Sequence, residues 1–204
     1  MRPYLIVIII SYLIGSISFS VIISKKFAGF DVRDKGSGNA GSTNVLRTVG
    51  KKAAILTLIC DALKGVVAIV VAILVSKIWK ESEVEVLKYL AGFCAIIGHT
   101  FPVFFGFKGG KGVATALGVL LTLNWKIGLI CLIFALILMA ITRIVSVGSI
   151  LSAILYPILT VFMGNADFWA IVISFLIALL VIFNHRENIK RLKDGNENKL
   201  NLKK

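Results

Sequence analysis

The 204-residue chain is poor in charge, acid, proline, cysteine and histidine. Only 16% of its residues are Asp, Glu, Lys or Arg, against about a quarter in an average soluble domain, while 58% are hydrophobic. A chain this short has too much surface for its volume to bury so much apolar side chain, so the surplus must face lipid. A soluble domain is excluded. Acidic residues number 10 against 23 Lys+Arg, a formal net charge of +13. In a soluble protein that excess would indicate nucleic acid. In a membrane protein, cytoplasmic loops collect Lys and Arg, and anionic headgroups or phosphorylated substrates favour the same sign. The lipid bilayer is therefore an expected partner and nucleic acid is not. The three cysteines, Cys60, Cys94 and Cys131, each sit inside an apolar run and form no disulfide framework. The two histidines, His99 and His185, lie far in sequence from any acidic cluster with ligand spacing, so neither a metal nor a cofactor is expected. With three prolines, no Pro- or Ser-rich linker and no repeat, the sequence reads as one membrane domain over 1–204 with a cytoplasmic tail at 185–204.

Seven apolar stretches stand out, at roughly 3–24, 53–76, 87–106, 112–124, 127–142, 144–164 and 168–184. A bilayer core of about 30 Å needs about 20 helical residues. The expected fold is thus all-α, a polytopic membrane helical bundle of about seven transmembrane helices. The fourth stretch is short for a full crossing and calls for local thinning or a re-entrant path. Pro102 is expected to kink the third span. Seventeen of the 23 Lys and Arg residues fall on one side of this arrangement, five on the other, and Lys64 lies within a helix. The positive-inside rule then puts the N-terminus outside and the C-terminus in the cytoplasm, with the tail fraying from about Asn196.

Three polar clusters fall on that same cytoplasmic side. The first is Gly36-Ser37-Gly38-Asn39-Ala40-Gly41-Ser42-Thr43-Asn44 with Arg47. It formally matches a dinucleotide fingerprint but lacks the strand and βαβ unit that fingerprint needs. Its local chemistry remains. Glycines let backbone N–H groups approach an anion, Ser37, Asn39, Thr43 and Asn44 offer hydrogen bonds, and Arg47 supplies a bidentate grip on phosphate. The second runs from Gly98-His99 to Phe107-Lys108-Gly109-Gly110-Lys111-Gly112, directly before a helix whose N–H groups and dipole favour an anion. It is not a Walker A loop, since position 105 is Phe105 and position 112 is Gly112. The third is Asn184-His185-Arg186-Glu187-Asn188, with His185 and Asn188 on one face of any continuing helix. Asp61 and Lys64, three apart inside the second span, are costly there unless they pair or serve the chemistry. Ser146, Gly148 and Ser149 open the sixth span.

Taken together, these motifs closely resemble the acyl-phosphate-dependent glycerol-3-phosphate acyltransferases, the bacterial PlsY family. The resemblance covers nearly the whole chain. It rests on Gly36-Ser37-Gly38-Asn39-x-Gly41-x-Thr43-Asn44-x-x-Arg47, on Gly98-His99-x-x-Pro102 to Phe107-Lys108-Gly109-Gly110-Lys111-Gly112-Val113-Ala114-Thr115, and on Asn184-His185-Arg186-x-Asn188-Ile189-x-Arg191-Leu192 with Gly195 and Glu197. Asp61-x-x-Lys64-Gly65 also looks like the family. The resemblance implies transfer of a fatty acyl group from acyl phosphate to the sn-1 hydroxyl of glycerol 3-phosphate, giving lysophosphatidic acid and phosphate at the cytoplasmic face of the bacterial inner membrane. It also implies functional coupling to an acyl-phosphate-forming enzyme. In keeping with the family's pattern, Ser37, Arg47, Lys108 and Asn188 would hold glycerol phosphate, with Asn39, Thr43 and Asn44 beside them. Gly109, Gly110, Gly112 and Lys111 would cradle the acyl phosphate, with Ser149 assisting. His185 would orient or deprotonate the attacking hydroxyl, a proton the donor's phosphate can also take. Two other classes fit parts of the sequence. A small-anion transporter also uses glycines and lysines at broken helices, though usually near the midplane. A basic membrane scaffold fits the charge but leaves the Gly-rich motifs unexplained.

Overall fold

The computed structural model describes residues 2–163 and 167–200; Gly164, at the end of the sixth expected span, and tail residues 201–204 lie outside them. Among the described residues the regular structure is entirely helical. The chain divides into two compact units, Met1–Leu123 and Asn124–Lys204.

The first unit contains α1 (Arg2–Gly15), α2 (Phe19–Ala28), α3 (Ser42–Thr48), α4 (Lys51–Trp79), α5 (Val84–Thr100) and α6 (Val113–Leu123). Helix α4 is its axis and touches all five others. Its buried side is rich in small residues, Ala53, Ala54, Gly65, Ala68 and Ala72, beside Ile69, Asp61 and Lys64, while Leu63, Val67, Val70 and Leu74 are exposed. That division suits a lipid-facing helix, because apolar solvent gives no hydrophobic drive and association depends on close backbone packing. A Cβ on Gly118 of α6 would overlap the Ala62 carbonyl, and one on Gly98 of α5 would overlap the Tyr12 carbonyl of α1. Val7, Ala68, Ala72, Leu87, Ala91 and Ala95 join α1, α4 and α5 in one core. A second core, built on Val21, Val32, Ala40, Val45, Ala53 and Ala54, lies around the first polar loop.

The second unit contains α7 (Trp125–Thr142), α8 (Val145–Met163), α9 (Phe168–Asn184) and α10 (Arg186–Lys193). Successive helices pack on one another. Gly148 of α8 faces the Ala135 carbonyl of α7, and Ser152 Oγ donates to the Cys131 carbonyl at 3.0 Å. Asn124 and Asp167 cap α7 and α9, accepting from Ile127 N at 3.2 Å and Ala170 N at 2.7 Å.

All seven apolar stretches are helical. Arg2–Ala28, Lys51–Trp79, Val84–Phe105, Trp125–Thr142 and Val145–Met163 are long and apolar enough to cross a membrane. Phe168–Asn184 joins them if paired with Arg186–Lys193, bent from it by 57°; Val113–Leu123 is shorter. The first stretch is one membrane-length span, interrupted between α1 and α2, where Ser16 Oγ bonds back to the Tyr12 carbonyl at 2.8 Å and the Ile17 carbonyl accepts from Lys64 Nζ at 2.9 Å. Two expectations need correction. Pro102 ends α5 rather than kinking it, since a residue before proline avoids helical torsions and a 3-10 turn at Val103–Phe105 follows. The tail does not fray at Asn196. Asn196 N donates to the Arg191 carbonyl at 2.8 Å and Leu200 N to the Arg143 carbonyl at 2.7 Å.

Close packing at the α4–α6 contact predicts that Gly118→Ala destabilises the protein by about 1–3 kcal/mol through overpacking. Thermal unfolding in detergent checks this: Gly118→Ala should melt several degrees lower, and Leu63→Val, on a side chain 52% exposed, should leave the midpoint near the parent.

Candidate active site

In the first unit the polar loop 29–41 folds around Asn44. This side chain, 1% exposed, donates from Nδ2 to the carbonyls of Val32 (2.9 Å), Lys35 (3.0 Å) and Asn39 (3.1 Å) and accepts from Ser37 N at 3.0 Å. Gly36 turns with φ +62°, and a Cβ there would collide with the Asn44 amide. Asn44, expected to face substrate, therefore spends its hydrogen bonds on the loop and organises it instead. Ser37 and Arg47 are exposed residues, while Asn39 and Thr43 are half-buried.

Arg33, which no motif reading singled out, joins this loop to the second cluster. Its Nε and NH2 pair with both Asp31 oxygens at 3.0 and 2.9 Å, and NH1 reaches the carbonyls of Phe105 at 2.7 Å and Lys108 at 3.2 Å. The hydrogen bond from Arg33, helped by its charge and that of Lys25, outweighs burial and holds the Asp31 carboxyl below the usual carboxylate range. The only sequence signal was an acid and a base two residues apart, a spacing too common to distinguish.

The glycine run of the second cluster is buttressed from within. Gly109 N donates to the Thr100 carbonyl and Gly110 N to the His99 carbonyl, both at 3.1 Å. These two N–H groups were expected to face an anion and instead secure the loop against the end of α5. A Cβ on Gly110 would fall on the His99 ring and 2.6 Å from the Ala40 carbonyl, so the two loops meet there. Gly112 enters α6 with φ +86°. The first-turn N–H groups of α6 have no intrahelical acceptor by helix geometry, and Lys108 is exposed in the preceding turn.

Lys64 and Asp61 pair at 3.0 Å, as their spacing suggested. His99 lies beside them, 2.8 Å from Lys64 and 3.5 Å from the Asp61 carboxylate, so its distance from acid in sequence did not carry over to space.

In the second unit His185 stands at the bend between α9 and α10 and is 3% exposed. Its Nδ1 lies 2.7 Å from the Val181 carbonyl, which can only accept; the proton is on Nδ1, and Nε2 is the basic nitrogen of the neutral ring. Asn188 lies in the first turn of α10 and donates from Nδ2 to Glu197. Glu197 also accepts from Ser146 Oγ at 3.0 Å and Arg191 Nε at 2.8 Å. Burial pushes its carboxyl up, but the hydrogen bonds from Asn188, Arg191 and Ser146, with the Arg191 charge, outweigh it and hold the carboxyl below its usual range. Ser149 bonds back to the Val145 carbonyl at 3.0 Å and is 5% exposed, so its hydroxyl proton serves its own helix. Among the described residues no group of three or more His, Cys, Asp or Glu side chains is disposed to hold a metal ion.

The lowered Glu197 carboxyl makes the tail clamp pH-dependent: its contribution is present above the ordinary carboxylate pKa of about 4 and is lost as pH falls through the lower native value. Glu197→Gln is expected to lower the unfolding midpoint at pH 7 and to expose Lys193 to trypsin; the difference from the parent should shrink in acid. Equal midpoints at pH 7 would show that the clamp is idle.

The profile of the family described as Glycerol-3-phosphate acyltransferase matches residues 5–195. A protein of that name from Clostridioides difficile (strain 630) is 43% identical over 201 residues, covering 98% of this chain and 97% of its own. One from Neisseria meningitidis serogroup C (strain 053442) is 45% identical over 191 residues, covering 94% of each. The crystal structure of PlsY (YgiH), an integral membrane glycerol 3-phosphate acyltransferase, in its glycerol 3-phosphate form matches with a TM-score of 0.88 and 37% identity, over 97% of this chain and 96% of that one. Its lysophosphatidic acid form matches with a TM-score of 0.86 and 36% identity, over 97% and 95%.

Proposed function

The chain belongs to the glycerol-3-phosphate acyltransferase family and is a membrane acyltransferase of the PlsY type, and from that premise we propose that its acyl donor is a fatty acyl phosphate. The acceptor is the sn-1 hydroxyl of glycerol 3-phosphate, and the products are lysophosphatidic acid and inorganic phosphate. The glycerol 3-phosphate and lysophosphatidic acid forms of the related PlsY support both ends of this reaction. Family membership displaces the transporter and scaffold readings. The whole chain acts as one membrane domain, crosses the inner membrane about seven times and works at the cytoplasmic face, where most of its Lys and Arg are expected.

The observation that carries the proposal is the joining of two glycine-rich loops by Arg33 and by the Gly110–Ala40 contact, with the Lys108 ammonium exposed beside them. An acyl phosphate is already an activated mixed anhydride, so no covalent enzyme nucleophile is needed; the work is to hold two phosphates and offset their charge. Ser37, Arg47 and Lys108 suit the glycerol phosphate, with Asn39 and Thr43 beside them. Gly112, the first turn of α6 and Lys111 suit the donor phosphate, and Gly109 and Gly110 hold that turn in place. Asn188 is assigned to the glycerol phosphate and His185 to the attacking hydroxyl. The sn-1 oxygen forms the new bond to the acyl carbon, the acyl carbon–phosphate oxygen bond breaks, and the hydroxyl proton passes to His185 Nε2. The acyl phosphate itself arrives from an enzyme that forms it, a functional coupling that follows from its reactivity.

Purified protein is expected to convert palmitoyl phosphate and labelled glycerol 3-phosphate to lysophosphatidate without divalent metal, and to give no product with palmitoyl-CoA. Product from the thioester alone would overturn the donor assignment. Arg47→Lys, losing the bidentate fork, should lower kcat/KM for glycerol 3-phosphate by about tenfold or more. His185→Gln should lower kcat by about a hundredfold or more if its imidazole takes the proton. Full turnover in a folded His185→Gln protein would leave the donor's phosphate as the acceptor.

A further inference from the structure

The buried cluster of Asp61, Lys64 and His99 has no part in the chemistry assigned above, although its side chains are 1%, 3% and 5% exposed and lie inside membrane-length helices. An ion pair in such a place is a net cost unless its geometry is good and its remaining hydrogen-bonding capacity is used. Lys64 Nζ makes two directional contacts, to the Ile17 carbonyl at 2.9 Å and His99 Nδ1 at 2.8 Å. It also faces Asp61 Oδ1 at 3.0 Å, a contact without well-angled hydrogen-bond geometry and so mainly electrostatic. An ammonium has no lone pair, so His99 Nδ1 is the acceptor and the ring proton sits on Nε2. The imidazole is thereby held in one tautomer and one orientation, a role second-layer partners commonly play for functional histidines.

What that ring supports is the glycine run. The space a Cβ on Gly110 would fill is occupied by His99 Nε2 and Cε1, and the His99 carbonyl accepts from Gly110 N at 3.1 Å. Gly109 N is held by the neighbouring Thr100 carbonyl. Through Lys64 the same ring is tied to the carbonyl released at the break between α1 and α2. A chain of direct contacts therefore runs from the middle of α4, through one imidazole, to the turn that precedes α6.

We propose that Asp61, Lys64 and His99 are positioning residues that set the height of the Gly109–Gly112 turn, and with it the affinity for the substrate phosphate held there. This rests on the reading of that turn as a phosphate-binding element. Lys64 orients the ring, Asp61 pairs with Lys64, and the ring bears the turn. A displacement of the order of 1 Å at such a turn is enough to misplace a bound phosphate.

The test uses the full-length enzyme in detergent and measures KM separately for acyl phosphate and glycerol 3-phosphate. Gly110→Ala, which drives a methyl into the His99 ring, should raise the KM for acyl phosphate, the donor whose phosphate this turn is assigned to hold. The double variant Asp61→Asn, Lys64→Met removes both charges together and so leaves no lone buried ion. It should raise the same KM by about tenfold and the other by less than about twofold, with kcat reduced far less. His99→Asn keeps an acceptor for Lys64 but removes the ring beneath Gly110, and should reproduce that selective rise even if the double variant fails to fold. Combining it with Gly110→Ala should give less than the sum of the two effects, because both act through one contact. If Gly110→Ala moves one KM selectively and neither of the other variants moves it, the positioning role is overturned while the turn keeps its phosphate. If Gly110→Ala leaves both KM values unchanged, the phosphate-binding reading fails and the inference falls with it. A loss confined to the unfolding midpoint, or spread equally over both KM values, would make the cluster merely structural and overturn the proposal.

Discussion

The structure depends on one constraint: a backbone that leaves its helix among apolar surroundings must find polar partners within the protein. The first unit meets it with a few long polar side chains that donate to carbonyls outside the α-helices. Lys64 serves Ile17 at the break between α1 and α2. Asn44 serves Val32, Lys35 and Asn39, and Arg33 serves Phe105 and Lys108. Without such donors these segments would have to be helical or solvated, and glycine-rich loops could not hold one conformation against a helical core.

That constraint also divides the work among the polar residues. Some face inward and make the loops rigid, as Asn44 and the N–H groups of Gly109 and Gly110 do. Others, Ser37, Arg47 and Lys108, remain exposed. Electrostatic catalysis benefits from this division, because charges and dipoles that do not reorganise when the substrate arrives stabilise the transition state most effectively. The second unit uses the same device at its end, where one carboxylate gathers Ser146, Asn188 and Arg191 and keeps the chain ordered to Leu200.

The amino-acid sequence by itself determined the solvent, the helical class and the family. A hydrophobic fraction of 58% in 204 residues excludes a water-soluble core, and apolar runs of helix length can be satisfied in lipid only as helices. The motifs Gly36 to Arg47, Gly98 to Thr115 and Asn184 to Glu197 identified the acyltransferase family, because the residue types that grip phosphate are few and their order is specific. The Asp61–Lys64 pair was legible too, since three residues on a helix put two side chains on one face.

Only the tertiary structure decided which polar groups are available and which are spent. Asn44 and Ser37 look alike as loop residues, yet one is saturated and buried and the other exposed. Arg33 carried no motif, and its reach to Phe105 and Lys108 spans more than 70 positions of chain. His99 read as remote from acid, and packing of α5 on α4 brought it to Asp61 and Lys64. The reason is physical: periodicity and composition report the solvent a segment prefers and the face it buries, whereas the partner of a hydrogen bond is chosen by three-dimensional proximity, which no local pattern encodes.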